Sequence, residues 1–276
     1  MMRKKQGIAA GVVKALMWVY SIATFAILLY LVYNSLRSRN DFLSNTFGKP
    51  ESLGILSYIR LITKDHFFRY FFNSVLILVV SLALLILISS VTAYGIARYT
   101  FPLKRLVRVF FLIGMMFPVQ LSVVPLFLVM NNMKLVDNPL SVILISSAGI
   151  SLPVFMLTNF FEKLPKEIYE SAIMDGAGEW TTFFLIMFPI ASPVVMSVCI
   201  TTSVSIWNQF FLPLIFLKSD IHKTVPLLVT KYTNNLLRNI DMSLAVSVMS
   251  TIPILILFII FSNRIIEGVT EGAVKG

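Results

Sequence analysis

Seven charged side chains, Glu162, Lys163, Lys166, Glu167, Glu170, Asp175 and Glu179, fall within eighteen consecutive positions, and long apolar runs without an ionisable group flank them on both sides. Charge of that density belongs in water, and such runs belong out of it. Read as a helix, the island places Tyr169, Ala172, Ile173, Gly176 and Trp180 on one face, with Glu167 and Glu170 beside it. Gly176 is a poor helix-interior residue and reads as a bend or a point of close approach. A water-exposed helix-turn-helix with small residues and a carboxylate is suited to docking.

Composition sets the class around this island. The 276 residues are 57% hydrophobic and only 13% charged, and the mean hydropathy is +0.86. Soluble domains do not use residues in these proportions. The net charge of +10 is scattered through loops and forms no block, which argues for anionic lipid head groups as the partner and against nucleic acid. The single cysteine, Cys199, lies in an apolar run, so no disulfide framework or thiolate metal cluster is available.

Six membrane spans follow from the apolar runs. The first covers about Ala15 to Tyr33, long enough to cross a bilayer. Its basic start, Arg3-Lys4-Lys5, also suits a signal peptide, but no small-x-small cleavage site follows and it reads as uncleaved. Residues 34–70 read as an exposed loop, and residues 1–70 as an N-terminal segment ahead of a core at 71–276. The aromatic run Phe67–Phe72 marks re-entry, and the second span covers about Phe71 to Ala97. The third, about Phe110 to Met130, carries Pro118, Gln120 and Pro125; its prolines predict a kink, and Gln120 should face protein or a water-filled path. The fourth runs from about Leu140 to Phe161. The stretch Thr181 to Leu217 is too long for one span and is broken by Pro189, Pro193 and Pro213, which predicts a lateral piece up to Pro189, a span to about Asn208 and an irregular segment beyond. A polar loop at 218–243 precedes the last span, about Leu244 to Phe261.

The motif E-x-A-x3-G-x9-I-x-x-P, carried by Glu170, Ala172, Gly176, Ile186 and Pro189, resembles the cytoplasmic EAA loop of ABC-importer permease subunits. Ser171 and Phe188 depart from the usual E-A-A-x3-G-x9-I-x-L-P, both mildly. Five matches at fixed offsets between two spans weigh against an ordinary amphipathic loop. Trp207-Asn208-Gln209-Phe210-Phe211-Leu212-Pro213-Leu214 resembles the W-N-x-F-x-x-P-L signature of carbohydrate permeases, and the tail Gly268–Gly276 is similar to the G-L-x-x-G-x-V-K-G ending of the maltose-type group, with Val269 in place of Leu. The resemblance implies an all-α, polytopic protein with a short coupling helix in loop 162–189. It implies ATPase coupling through Glu170, Ser171, Ala172, Asp175, Gly176 and Pro189, and a tail contact with the ATPases through Gly272, Lys275 and Gly276. Trp207, Asn208 and Gln209 offer an aromatic plane beside two amides, which suits a sugar, although an interfacial anchor explains Trp207 equally well. With Gln120 they are the candidate substrate pathway.

The implied partners are a second homologous permease subunit, an ATPase dimer that binds ATP and Mg, an extracytoplasmic sugar-binding protein and a mono- or oligosaccharide. No cofactor is expected in this chain. Lys and Arg divide 12 to 11 between the two sides, so the total decides nothing. The basic start and the short turn with Arg98, Lys104, Arg105 and Arg108 place both termini in the cytoplasm. No Asp, Glu, His, Lys or Arg falls inside the spans, which disfavours a proton-driven carrier; no G-x4-G-K-[ST] loop is present, so ATP must be hydrolysed elsewhere. His66 and His222 lie in loops, and no catalytic constellation of an intramembrane hydrolase is visible. An ion-coupled secondary transporter and an ABC permease for a non-sugar solute are the alternatives.

Overall fold

The computed structural model describes residues 2–49, 55–236 and 238–273. They form helices joined by short turns, with no strand among the described residues. In chain order these are α1 (Met2–Ser35), α2 (Arg39–Ser44), α3 (Ile55–Thr63), α4 (Phe67–Arg98), α5 (Lys104–Met116), α6 (Val123–Asn132), α7 (Pro139–Ser147) and α8 (Ser151–Phe161). There follow α9 (Lys166–Met174), α10 (Glu179–Thr182), α11 (Phe188–Ile190), α12 (Ser192–Trp207), α13 (Phe211–Phe216), α14 (Val225–Thr233) and α15 (Ile240–Ala273). A 3-10 turn, Val119–Ser122, precedes α6, and a π-helical turn, Phe183–Met187, joins α10 to α11.

Among the described residues four stretches are long and apolar enough to cross a membrane: Gly11–Ser35, Phe67–Arg98, Pro139–Phe161, which is α7 and α8 with a short break at 148–150, and Ile240–Ile259. Two further pairs, Lys104–Met116 with Val119–Asn132 and Glu179–Ile190 with Ser192–Trp207, bend by 93° and 73°, which brings the total to six if each pair is one span. Proline explains both breaks. Pro118 lies between the first two pieces and cannot donate an amide to the helix ladder, and Pro189 and Pro193 bracket the second bend. The kink expected in the third span is thus a near right angle.

The chain divides into two compact units. One consists of Met1–Phe67 and Leu228–Ile252. Its α1 is apolar all round and exposed from Gly11 along the span, as a lipid-facing helix must be. Residues 34–70 are not a plain exposed loop, as the sequence suggested; they hold α2, α3 and a fully buried Arg37. Its guanidinium donates to the Asp41 carboxylate at 2.6 and 3.2 Å, to the Asn45 carbonyl at 2.6 Å and to the Thr46 carbonyl at 3.1 Å. The bond to Asp41 raises the Arg37 pKa. A planar donor with every edge occupied folds this segment around itself. The supposed polar loop 218–243 likewise contains α14, whose Leu228 and Tyr232 are buried, and Tyr232 donates to Asp65 at 2.6 Å.

The other unit is Phe68–Leu227 with Pro253–Gly276. Its main core joins α4, α8, the π turn and α12 through Leu85, Tyr94, Leu157, Phe161, Phe183 and Val198. Ser81, Ser89 and Ser90 of α4 are fully buried. Lipid tails are as apolar as leucine, so helices in a bilayer associate by close packing, and small residues permit it. Each hydroxyl is satisfied by a carbonyl: Ser90 donates to Ile86 at 2.6 Å, and Ser81 reaches Ile143 on α7 at 3.4 Å.

Candidate functional site: the α9 loop and a polar cleft

Helix α9 starts because Pro165 ends the preceding chain in an extended conformation (φ −55°, ψ 136°), and Glu167 complements its first turn. It stops at a glycine cap. Gly176 has φ +79°, its N–H donates to the Ile173 carbonyl at 2.9 Å, and the Ala177 N–H donates to the Ala172 carbonyl at 3.0 Å. This pair of bonds is the Schellman arrangement, which requires a left-handed residue after the helix. Of the two readings of Gly176, the structure supports the bend: a Cβ there meets nothing within 4 Å.

Ala172 is buried, with 4% exposure, and anchors the inner face of α9. Glu170, Ser171, Asp175 and Gly176 are exposed. Beside them stand Met174 at 87% and Trp180 at 65% exposure, the latter stacked on Phe184 with ring centroids 6.0 Å apart. Pro189 is also exposed, at the bend beyond the π turn. The loop therefore presents carboxylates, a small residue and large apolar side chains together.

Two clusters that sequence reasoning missed hold this loop to the end of α4 and the start of α5. The Arg98 guanidinium lies 3.3 Å above the Tyr169 ring centroid, and the Tyr169 hydroxyl donates to Glu179. That bond is the main reason the Tyr169 pKa is raised. On the other side Arg108 donates to Glu162 at 2.8 Å, with Lys104 3.9 Å from the same oxygen. The charges were visible in the sequence, but the pairing joins residues more than fifty positions apart, and no spacing rule reports that.

A cleft of about 270 Å³ opens among α4, α7, α8 and α12. Its polar lining is Ser146, Gly149, Thr201, Thr202, Ser205 and Gln209, among apolar residues such as Leu85 and Ile145, and among the described residues no charged side chain lines it. Ser197, Thr201, Ser205 and Gln209 recur every four residues, so they run along one face of α12 and its end. That period was the available signal for Thr201 and Ser205. The Thr201 hydroxyl donates to the Ser197 carbonyl at 3.0 Å, which leaves its oxygen free to accept.

The expected pathway residues are not brought together. Gln209 lines the cleft, and its side-chain oxygen accepts the Phe211 N–H at 3.2 Å. Trp207 is 4% exposed, with its ring 5.9 Å from that of Phe71, so it offers no stacking face here. Asn208 caps α12 and is exposed outside the cleft lining; Gln120 sits, exposed, in the 3-10 turn next to the lining residue Val119. Gly272 belongs to the last turn of α15, while Lys275 and Gly276 lie outside the described residues.

Long apolar helices, broken spans around an uncharged cleft and a protruding loop helix define a helical membrane transport subunit. The chain belongs to the family of binding-protein-dependent transport system inner membrane components, whose model matches residues 85–270. It is 33% identical to the diacetylchitobiose uptake system permease protein NgcG of Streptomyces coelicolor, over 96% of this chain and 89% of that one. It is 35% identical to the arabinooligosaccharides transport system permease protein AraQ of Halalkalibacterium halodurans, over 92% of each. In fold it resembles a chain of a bacterial ABC transporter involved in the import of the acidic polysaccharide alginate, with a TM-score of 0.76, 20% identity, and coverage of 92% of this chain and 95% of that one.

Proposed function

We propose that the chain is the permease subunit of an ATP-driven importer of neutral oligosaccharides, with α9 as the helix that docks on the ATPase. The carrying observation is the shape of the α9 loop: a capped short helix with Glu170, Ser171, Asp175 and Gly176 outward and Met174 and Trp180 beside them. Carboxylates ringing exposed apolar side chains fit a cleft with basic rims on a partner subunit. Both termini are then cytoplasmic, and the tail residues Gly272, Lys275 and Gly276 supply a second contact with the ATPases. ATP and Mg bind to those subunits. A second permease completes the pathway, and an extracytoplasmic binding protein delivers the solute.

Two lines support a neutral saccharide. The relatives just described carry chitobiose- and arabinose-based oligosaccharides in their names. The cleft provides hydroxyl, amide and backbone groups without a charge, which suits the hydroxyls of a neutral sugar. The mechanism is alternating access: closure of the ATPase dimer displaces α9 and repacks the spans around the cleft.

The test is ATP-dependent uptake of labelled oligosaccharides into cells with and without this gene. Loss of uptake for at least one neutral oligosaccharide, restored by the gene, is expected. Sodium- or proton-driven uptake that survives depletion of ATP overturns the reading.

A further inference from the structure

We infer that Arg98, Tyr169 and Glu179 form the joint through which displacement of α9 reaches α4, which makes them positioning residues for coupling. The inference rests on the proposed role of α9.

A short helix that docks on a moving partner must be attached to the membrane spans by something stiffer than loop backbone. The connections on either side of α9 are a few residues long and carry prolines or glycines, Pro165 before it and Gly176 and Gly178 after it. Side chains supply the stiffness. Arg98 ends α4 and stacks on Tyr169 at 3.3 Å; Tyr169 in turn bonds Glu179, the first residue of α10. One aromatic ring of α9 is thus clamped between a cation on α4 and an anion on α10. The carboxylate is also drawn on by the Tyr99 hydroxyl. Lys104 closes the same end of α4, donating to the carbonyls of Ala97 at 3.3 Å and Tyr99 at 3.2 Å.

What α4 does with such a displacement follows from its length. It runs for 32 residues without a break, about 48 Å at 1.5 Å per residue. Leu85, part-way along it, lines the cleft. Near its far end the Asn73 amide donates to the carbonyls of Ile221 at 2.8 Å and Lys223 at 2.9 Å, and Ser74 accepts the Val225 N–H at 2.9 Å. A rigid rod held at both ends moves the cleft wall and the opposite loop whenever the joint at Arg98 moves. The neighbouring spans that begin at α5 and α10 are broken at 93° and 73° and lack this property.

The test uses the assembled complex with its own partners, purified in lipid, and reads the ratio of ATP hydrolysis with solute-loaded binding protein to hydrolysis without it. Arg98→Ala and Glu179→Gln are expected to retain the ATPase and basal hydrolysis while that ratio falls at least threefold. Their double variant should fall no further than the worse single one, because both cut the same linkage. Arg98→Lys should recover part of the loss, since an ammonium also sits over an aromatic face. If Arg98→Ala fails to assemble, Tyr169→Phe decides, because it removes a single hydroxyl. Unchanged ratios in Tyr169→Phe and Glu179→Gln, or losses that multiply in the double variant, overturn the joint. A wild-type complex without any stimulation overturns the proposed function as well; stimulation in the wild type and equally in the variants overturns the joint alone.

Discussion

The N–H of Gly176 bonds the Ile173 carbonyl at 2.9 Å, and this bond holds the glycine at φ +79° to close α9. Since a Cβ would meet nothing within 4 Å, any cost of a side chain in the free subunit is conformational, about 1 kcal/mol for a left-handed non-glycine residue. Gly176→Ala should therefore leave a folded subunit. Gly176→Asn should cost less still, because asparagine tolerates this region. Thermal unfolding of the isolated subunit and ATPase retention by the complex separate two effects. Normal unfolding with lost retention in both variants places the ATPase backbone against Gly176.

Glu170 takes part in none of the ion pairs among the described residues. Its carboxylate is therefore available to a partner. An exposed pair at a rim contributes about 0–1 kcal/mol, whereas like charges held together at an interface cost several. Glu170→Gln should weaken ATPase binding less than tenfold, and Glu170→Lys should weaken it far more, with subunit abundance unchanged. Binding measured at rising salt should narrow the gap between the two variants. Equal retention in both, at low salt, returns this loop to an ordinary turn.

In the cleft, Thr201→Val keeps the volume and removes the hydroxyl. Loss of one neutral hydrogen bond to a sugar corresponds to about 1 kcal/mol, or roughly fivefold in KM for uptake. Asn208→Ala is expected to act in the same direction and more weakly, since Asn208 stands outside the lining. A Thr201→Asp variant should exclude anionic oligosaccharides more strongly than neutral ones. Uptake kinetics unchanged in Thr201→Val remove this face of α12 from the pathway.

Asp137 ties two loops of the same unit. Its carboxylate accepts the N–H groups of Lys218 at 2.9 Å and Ser219 at 2.8 Å and the Ser219 hydroxyl, and His222 lies 3.4 Å away. These bonds, the Ser219 hydroxyl first, hold its pKa well below the ordinary 3.8. A depressed carboxylate contributes stability that is complete above 3.8 and is lost as pH falls towards the folded value. The clasp should thus persist across neutral and mildly acidic pH. Amide exchange at Lys218 and Ser219 should be slow and insensitive to pH-dependent opening from pH 7 down to 5. Asp137→Asn should speed it throughout, and slow exchange in that variant would show that backbone packing alone holds the loop.

The membrane class, the apolar segments, the breaks at Pro118 and Pro189 and the exposed α9 loop were legible in the sequence, because each depends on local chemistry: run length, proline, and the spacing of Glu170, Ala172 and Gly176. Pro213, expected to break the chain, instead lies inside α13, and the fourth span breaks at 148–150 without a proline. Tertiary structure decided which side chains meet. Trp207, promising beside two amides, turned inward onto Phe71, because packing among helices competes for any large aromatic ring. Arg37 found a buried ring of acceptors in a segment that reads as plain polar loop. Arg98 and Glu179, eighty-one positions apart, close on Tyr169 only after α4, α9 and α10 have been brought together. Charge and hydropathy act along the chain and leave a pattern in it; contacts between distant charges depend on how whole helices pack, and no periodicity records that.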